Sequence, residues 1–121
     1  MARILVVDDE LSLLKLLQIY LTRAGHQVVC FATATEAIGH LDQDETPFDI
    51  AVLDHWLPDM SGIDLLNGVL YRRPSTLILL ASGSLVDVES LHLAHPERVT
   101  FLRKPYLPRM LVEAINTLLQ R

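Results

Sequence analysis

Apolar residues in this chain follow two alternating patterns. Short unbroken runs rich in Val, Ile and Leu occupy residues 3–7, 27–31, 49–53, 76–81 and 99–103. Runs of this length without polar interruption mark strands buried on both faces. Between them the apolar positions recur at helical spacing: Leu14, Leu17 and Leu21, then Ala37, Ile38 and Leu41, then Ile63, Leu66 and Leu70. Gly25 suits a left-handed cap after the first helix, Thr33 or Thr35 can cap the second, and Pro108 fits the first turn of the last. A further helix, the fourth, is expected within residues 84–94. Strands alternating with helices over short connections build right-handed βαβ units, so the fold class is α/β with a parallel sheet covered on both faces.

Composition narrows the setting. The 121 residues, half of them apolar, suffice for one domain over residues 1–121 with a single core, at a radius of gyration of roughly 14 Å. A formal charge of −5 argues against a nucleic-acid surface, and the basic dipeptides Arg72-Arg73 and Arg103-Lys104 are too short to form a stripe. No apolar stretch reaches the roughly 18 residues that span a bilayer. Met1-Ala2-Arg3 leads straight into a strand rather than a signal peptide. The single cysteine, Cys30, cannot form an internal disulfide and reads as a buried small hydrophobe in a reducing compartment, so a cytoplasmic location without membrane contact is expected.

Chemistry concentrates where the strands end. ILVV runs into Asp8 and Asp9, IAVL into Asp54, TLILLA into Ser82, and VTFLR into Lys104 and Pro105. In an open parallel sheet these carboxyl ends share one edge, where ligands bind. Like charges about 4 Å apart repel by about 4 kcal/mol at an effective dielectric near 20, so the three carboxylates require positive charge among them. Lys104 is one source. A hard, oxygen-preferring divalent cation is the other, with Mg²⁺ the natural choice and Mn²⁺ able to stand in. The five histidines are scattered, and His92 with His95, on one helix face, reads as solvated surface rather than a zinc site. The sequence contains no G-x-x-x-x-G-K-[ST] or G-x-G-x-x-G string for a nucleotide.

Taken together, ILVVDDE, VLDHWLPDMSGIDLL, LLASGS and FLRKPY resemble the receiver domain of two-component response regulators, of the chemotaxis-regulator type. The resemblance covers essentially the whole chain, with 45 residues from Asp9 to Asp54, 28 more to Ser82 and 22 more to Lys104. It implies a doubly wound, flavodoxin-like sheet of order 2-1-3-4-5 flanked by five helices. It also implies that Asp54 is the phosphoacceptor, taking a phosphoryl group from a histidine kinase or a phosphotransfer protein. Asp8 and Asp9, with Asp54 and the backbone carbonyl of Trp56, match the Mg²⁺ ligands, and Lys104 matches the cation that neutralises phosphoryl oxygens. Ser82 matches the switch hydroxyl, Phe101 the aromatic switch, and Lys104-Pro105 a cis peptide.

The implied output is a surface of the fourth helix, fifth strand and fifth helix, with Leu91, Phe101, Arg103 and Tyr106 as its residues and a homodimer or an output domain as its partner. The chain is expected to catalyse its own phosphorylation and dephosphorylation, not the multiple turnover of a substrate. Two rivals are a degenerate receiver acting as a phosphorylation-independent interaction module, and a metal-dependent phosphohydrolase. The first predicts loss of an essential residue, yet Asp9, Asp54, Ser82 and Lys104 are all present; the second resembles a D-x-D arrangement after the first strand, where this chain has adjacent aspartates. Pro58 and Gly62 read as loop-shaping residues, and Glu10 as a helix start or an outer-shell metal contact. Departures from the family pattern fall at His55, Trp56, Leu57 and Ser84. Trp56 and Ser84 flank the route of water to an acyl phosphate, which implies slow self-dephosphorylation.

Overall fold

Alternate residues of β1 (Arg3–Val7) enter different cores: Leu5 and Val7 pack on one face of the sheet, Ile4 and Val6 on the other. This two-residue period forces helices onto both faces. The computed structural model describes residues 2–83 and 98–120. Its remaining strands are β2 (Gln27–Phe31), β3 (Ile50–Asp54), β4 (Leu77–Ser82) and β5 (Val99–Arg103), all parallel and ordered β2-β1-β3-β4-β5. Helix α1 (Leu11–Arg23) and the C-terminal helix α4 (Pro108–Leu119) cover one face through Leu14, Leu17, Leu21, Leu111, Ile115 and Leu118. The other face is covered by α2 (Ala34–Gln43) and α3 (Gly62–Arg72). Each fully buried leucine stabilises this sandwich by roughly 1.5–3 kcal/mol.

Four helices are present among the described residues where five were expected; the fourth expected helix, with Ser84, Leu91, His92 and His95, lies outside them. The helix ends follow the expected chemistry. Gly25, at φ 94°, closes α1: its N–H donates to the Thr22 carbonyl and that of His26 to the Leu21 carbonyl, the paired bonds of a Schellman cap. Thr33 rather than Thr35 caps α2, accepting from the Glu36 N–H at 3.2 Å. Pro108 opens α4.

Two readings shift. Strands β3 and β4 start and stop one residue later than the apolar runs, because Asp54 pairs with Ala81 and Ser82 with Arg103 in the ladder. Backbone pairing carries these polar residues into the sheet, where hydrophobic pattern alone placed them just beyond it. In α3 the fully buried stripe is Leu65, Leu66 and Val69, while Ile63 and Leu70 sit half-buried at its margins. The helix is rotated toward its most apolar arc, which contains adjacent leucines.

Candidate functional site

The loops beyond the carboxyl ends of β1, β3, β4 and β5 bring the expected residues together. Asp8 follows β1, and its N–H still donates to Phe31 of β2 at 3.1 Å, which fixes the chain as it leaves the sheet. Its Oδ1 accepts the Glu10 N–H at 2.9 Å, and the Glu10 carbonyl accepts from Leu14, so Glu10 is the first residue of the α1 entry. Asp54 is the last residue of β3 and only 7% exposed. Lys104 leaves β5 with its N–H donating to the Ser82 carbonyl at 2.9 Å, followed by a cis bond to Pro105. Its ammonium lies 3.0 Å from Asp8 Oδ2 and 3.3 Å from Asp54 Oδ1.

The electrostatics of this cluster are unbalanced. Burial, and then the charge of Asp8, push the Asp54 carboxyl above the usual carboxylate range; Lys104 and the Trp56 N–H oppose the shift without cancelling it. Burial disfavours the Lys104 ammonium, but its hydrogen bond and attraction to Asp8, joined by Asp54, outweigh that and raise its pKa. Burial, followed by the negative charge of Asp8, Asp54 and Glu10, drives the nearby Tyr106 phenol strongly upward. One ammonium does not offset three carboxylates.

Carboxylate oxygens of Asp8, Asp9 and Asp54 lie within 4.8 Å of one another, and Asp9 is exposed to solvent. Opposite ligands of an octahedral Mg²⁺ are about 4.2 Å apart, so small side-chain adjustments bring this donor set to the ion. The residues present therefore fit a hard divalent cation that retains several waters. A cleft of about 470 Å³ lined by Glu10, Leu13, Gly83, Lys104, Pro105 and Tyr106 opens beside the cluster.

The β3–α3 loop contributes two features that the sequence did not reveal. His55 is buried at 4% exposure, and its Nδ1 lies 2.9 Å from Ser82 Oγ. Trp56, 66% exposed, stacks on that imidazole with ring centroids 4.6 Å apart. Asp59 reaches across to the start of α2, accepting from the Ala34 N–H at 3.1 Å, the Thr35 N–H at 2.8 Å and the Thr35 hydroxyl at 2.6 Å. Both contacts join residues more than 20 positions apart, so no local pattern announces them. Gly62 closes the loop, its N–H donating to the His55 carbonyl at 2.6 Å.

Phe101 is half-buried against the core formed with α2 and α3, Arg103 is exposed, and Tyr106 packs against the core on the α1 and α4 side. Cys30 is a half-buried free thiol whose pKa burial raises. Among the described residues no helix is long and apolar enough to cross a membrane.

Comparison with known proteins agrees with this architecture. The chain is similar to the response regulator SaeR of Staphylococcus aureus (strain USA300), 28% identical over its full 121 residues. It spans about half the length, 52%, of that curated relative. Among solved structures it resembles a CheY-like response regulator receiver domain protein from Methanospirillum hungatei JF-1, with TM-score 0.85, 30% identity and coverage of 97% of this chain and 92% of that one. It also resembles DrrB, a Thermotoga maritima OmpR/PhoB homolog, with TM-score 0.82 and 29% identity over all of this chain and 54% of that one. Residues 4–116 match the family described as the response regulator receiver domain, and the chain belongs to that family.

Proposed function

We propose that this domain is a phosphoacceptor switch in which Asp54 takes a phosphoryl group from a phosphohistidine on a histidine kinase or phosphotransfer protein. The observation that carries the reading is the position of Asp54: buried at the end of β3, 3.3 Å from the Lys104 ammonium, with Asp8 and Asp9 oxygens beside it. An Asp54 oxygen attacks phosphorus, forming the O–P bond as the N–P bond to the donor imidazole breaks. Lys104, already paired with Asp8 and Asp54, stabilises charge on the phosphoryl oxygens. Asp8, Asp9, Asp54 and the Trp56 carbonyl would hold Mg²⁺, which when bound neutralises the remaining excess negative charge. Ser82 supplies a hydroxyl to the arriving phosphoryl group, and Phe101 follows it. The consequence is a biased two-state equilibrium read on the surface around β5 and α4, where a second copy or an output domain docks. The setting is cytoplasmic.

Incubation with Mg²⁺ and acetyl phosphate tests this reading. One stable, alkali-labile phosphoryl group per chain supports it. Multiple turnover of phosphoesters would instead indicate a hydrolase, and absence of any reaction would indicate an interaction module independent of phosphate.

A further inference from the structure

His55 is a buried polar side chain at the heart of the site that the phosphotransfer chemistry leaves unused. It is held on several sides. Its N–H donates to the Ala81 carbonyl at 2.9 Å, its carbonyl accepts from Gly62 at 2.6 Å, and the Trp56 indole lies over its ring at an interplanar angle of 26°. Gly62 packs so tightly that a Cβ built there would come within 2.5 Å of the His55 Cα. These contacts fix the His55 backbone, and the indole covers one face of a ring that is itself only 4% exposed. Its Nδ1 is nevertheless the hydrogen-bond partner, at 2.9 Å, of Ser82 Oγ.

We propose that His55 is a positioning residue that restrains the Ser82 hydroxyl, so that a phosphoryl oxygen on Asp54 must compete with the buried imidazole for it. The inference rests on the phosphoacceptor reading above. Ser82 has one hydroxyl proton to donate. Where Nδ1 accepts it, the phosphoryl oxygen has to take that proton away; where Nδ1–H donates to Ser82, the bond still ties Oγ to a ring carried on a fixed backbone. In either tautomer the resting position of Ser82 is favoured, and the switch is set against activation. A hydrogen bond of ordinary net strength corresponds to about a three- to tenfold shift in such an equilibrium.

The test is a titration with beryllofluoride, a stable phosphoryl mimic, in Mg²⁺ and followed by NMR. It compares the wild type with His55→Leu and His55→Asn, each with and without Ser82→Ala. We expect His55→Leu to bind the mimic about three- to tenfold more tightly. His55→Asn, which returns a polar atom near the Nδ1 position, should reverse most of that gain, and Ser82→Ala should abolish the difference between Leu and His. In the wild type, with no substitution at His55, the imidazole Nδ1 resonance should move when the mimic is added to Mg²⁺-loaded protein and stay put in Ser82→Ala. Equal affinities for His55→Leu and wild type, the same gain without the Ser82 hydroxyl, or an unmoved Nδ1 resonance would each overturn the role of His55 alone. A wild type that does not bind the mimic overturns the phosphoacceptor reading and this inference with it.

Discussion

Gly62→Ala places one methyl group where the end of β3 has no room for it. An ideal Cβ at Gly62 meets the His55 Cα at 2.5 Å, the Asp54 carbonyl oxygen at 2.7 Å and the His55 carbonyl carbon at 3.0 Å. Carbon atoms normally rest about 3.5–4.0 Å apart, so the nearest contact is roughly 1 Å too short. All three neighbours are backbone, and His55 is pinned to Ala81, so no side chain can swing aside. Overpacking of this kind costs about 1–3 kcal/mol, and the upper part of that range applies where only backbone can yield. Gly62 is the first residue of α3, so alanine returns only part of the roughly 1 kcal/mol that its helix preference is worth in a helix interior, which leaves a net loss of about 2 kcal/mol. For a domain of this size that lowers Tm by roughly 6–10 °C. Gly39 provides the control: it lies inside α2 with nothing within 4 Å of a Cβ, so Gly39→Ala should gain roughly 0.5–1 kcal/mol. Thermal unfolding followed by circular dichroism reads both variants. If Gly62→Ala melts with the wild type, or Gly39→Ala falls as far as Gly62→Ala, the reasoning from close approach is wrong.

Further predictions concern charge and shielding. Because the Asp54 carboxyl titrates above its ordinary value of 3.8, ionising it weakens the fold: stability is full below that value and declines as pH rises through the higher, folded pKa. Asp54→Asn should therefore raise Tm in metal-free buffer at neutral pH, with the advantage closing toward pH 3.8; an advantage that persists unchanged in acid would contradict the burial argument. Asp59 behaves oppositely, since hydrogen bonds from Thr35 hold its carboxyl below 3.8. Its stabilisation is present above that value and is lost as pH falls through the depressed pKa, so Asp59→Ala should lower Tm at neutral pH and match the wild type in strong acid, as a pH series of melts will show. On the proposed function, Trp56→Asn, which removes the exposed indole stacked on His55, should shorten the half-life of an acyl phosphate on Asp54, measured by loss of label after the donor is removed. An unchanged half-life would remove Trp56 from the control of signal lifetime.

Much of this molecule was legible because its signals are local. Ile4 to Val7 form a continuous apolar run since both faces of β1 are buried, and Gly25 and Pro108 mark helix ends through backbone constraints that act within one turn. The meeting of Asp8, Asp9, Asp54 and Lys104 was legible too, because a parallel sheet delivers every strand's carboxyl end to one edge. What escaped depends on register and rotation. The bond between His55 and Ser82 exists only because β3 and β4 pair so that the residues at their ends adjoin, 27 positions apart in sequence. The three hydrogen bonds that Asp59 accepts from Ala34 and Thr35 join the β3–α3 loop to the start of α2, and the buried arc of α3 was set by packing against the sheet rather than by spacing.

The most direct measurement is chemical mapping of the phosphorylated residue. An acyl phosphate on aspartate is reduced by borohydride to homoserine, which sequencing by mass spectrometry locates. After treatment with Mg²⁺ and acetyl phosphate, homoserine is predicted at position 54 and nowhere else, with none formed when Mg²⁺ is withheld or in Asp54→Asn. Homoserine at Asp8, Asp9 or Asp59, or an unmodified Asp54 in protein that carries phosphate, would contradict the assignment of Asp54 as the phosphoacceptor.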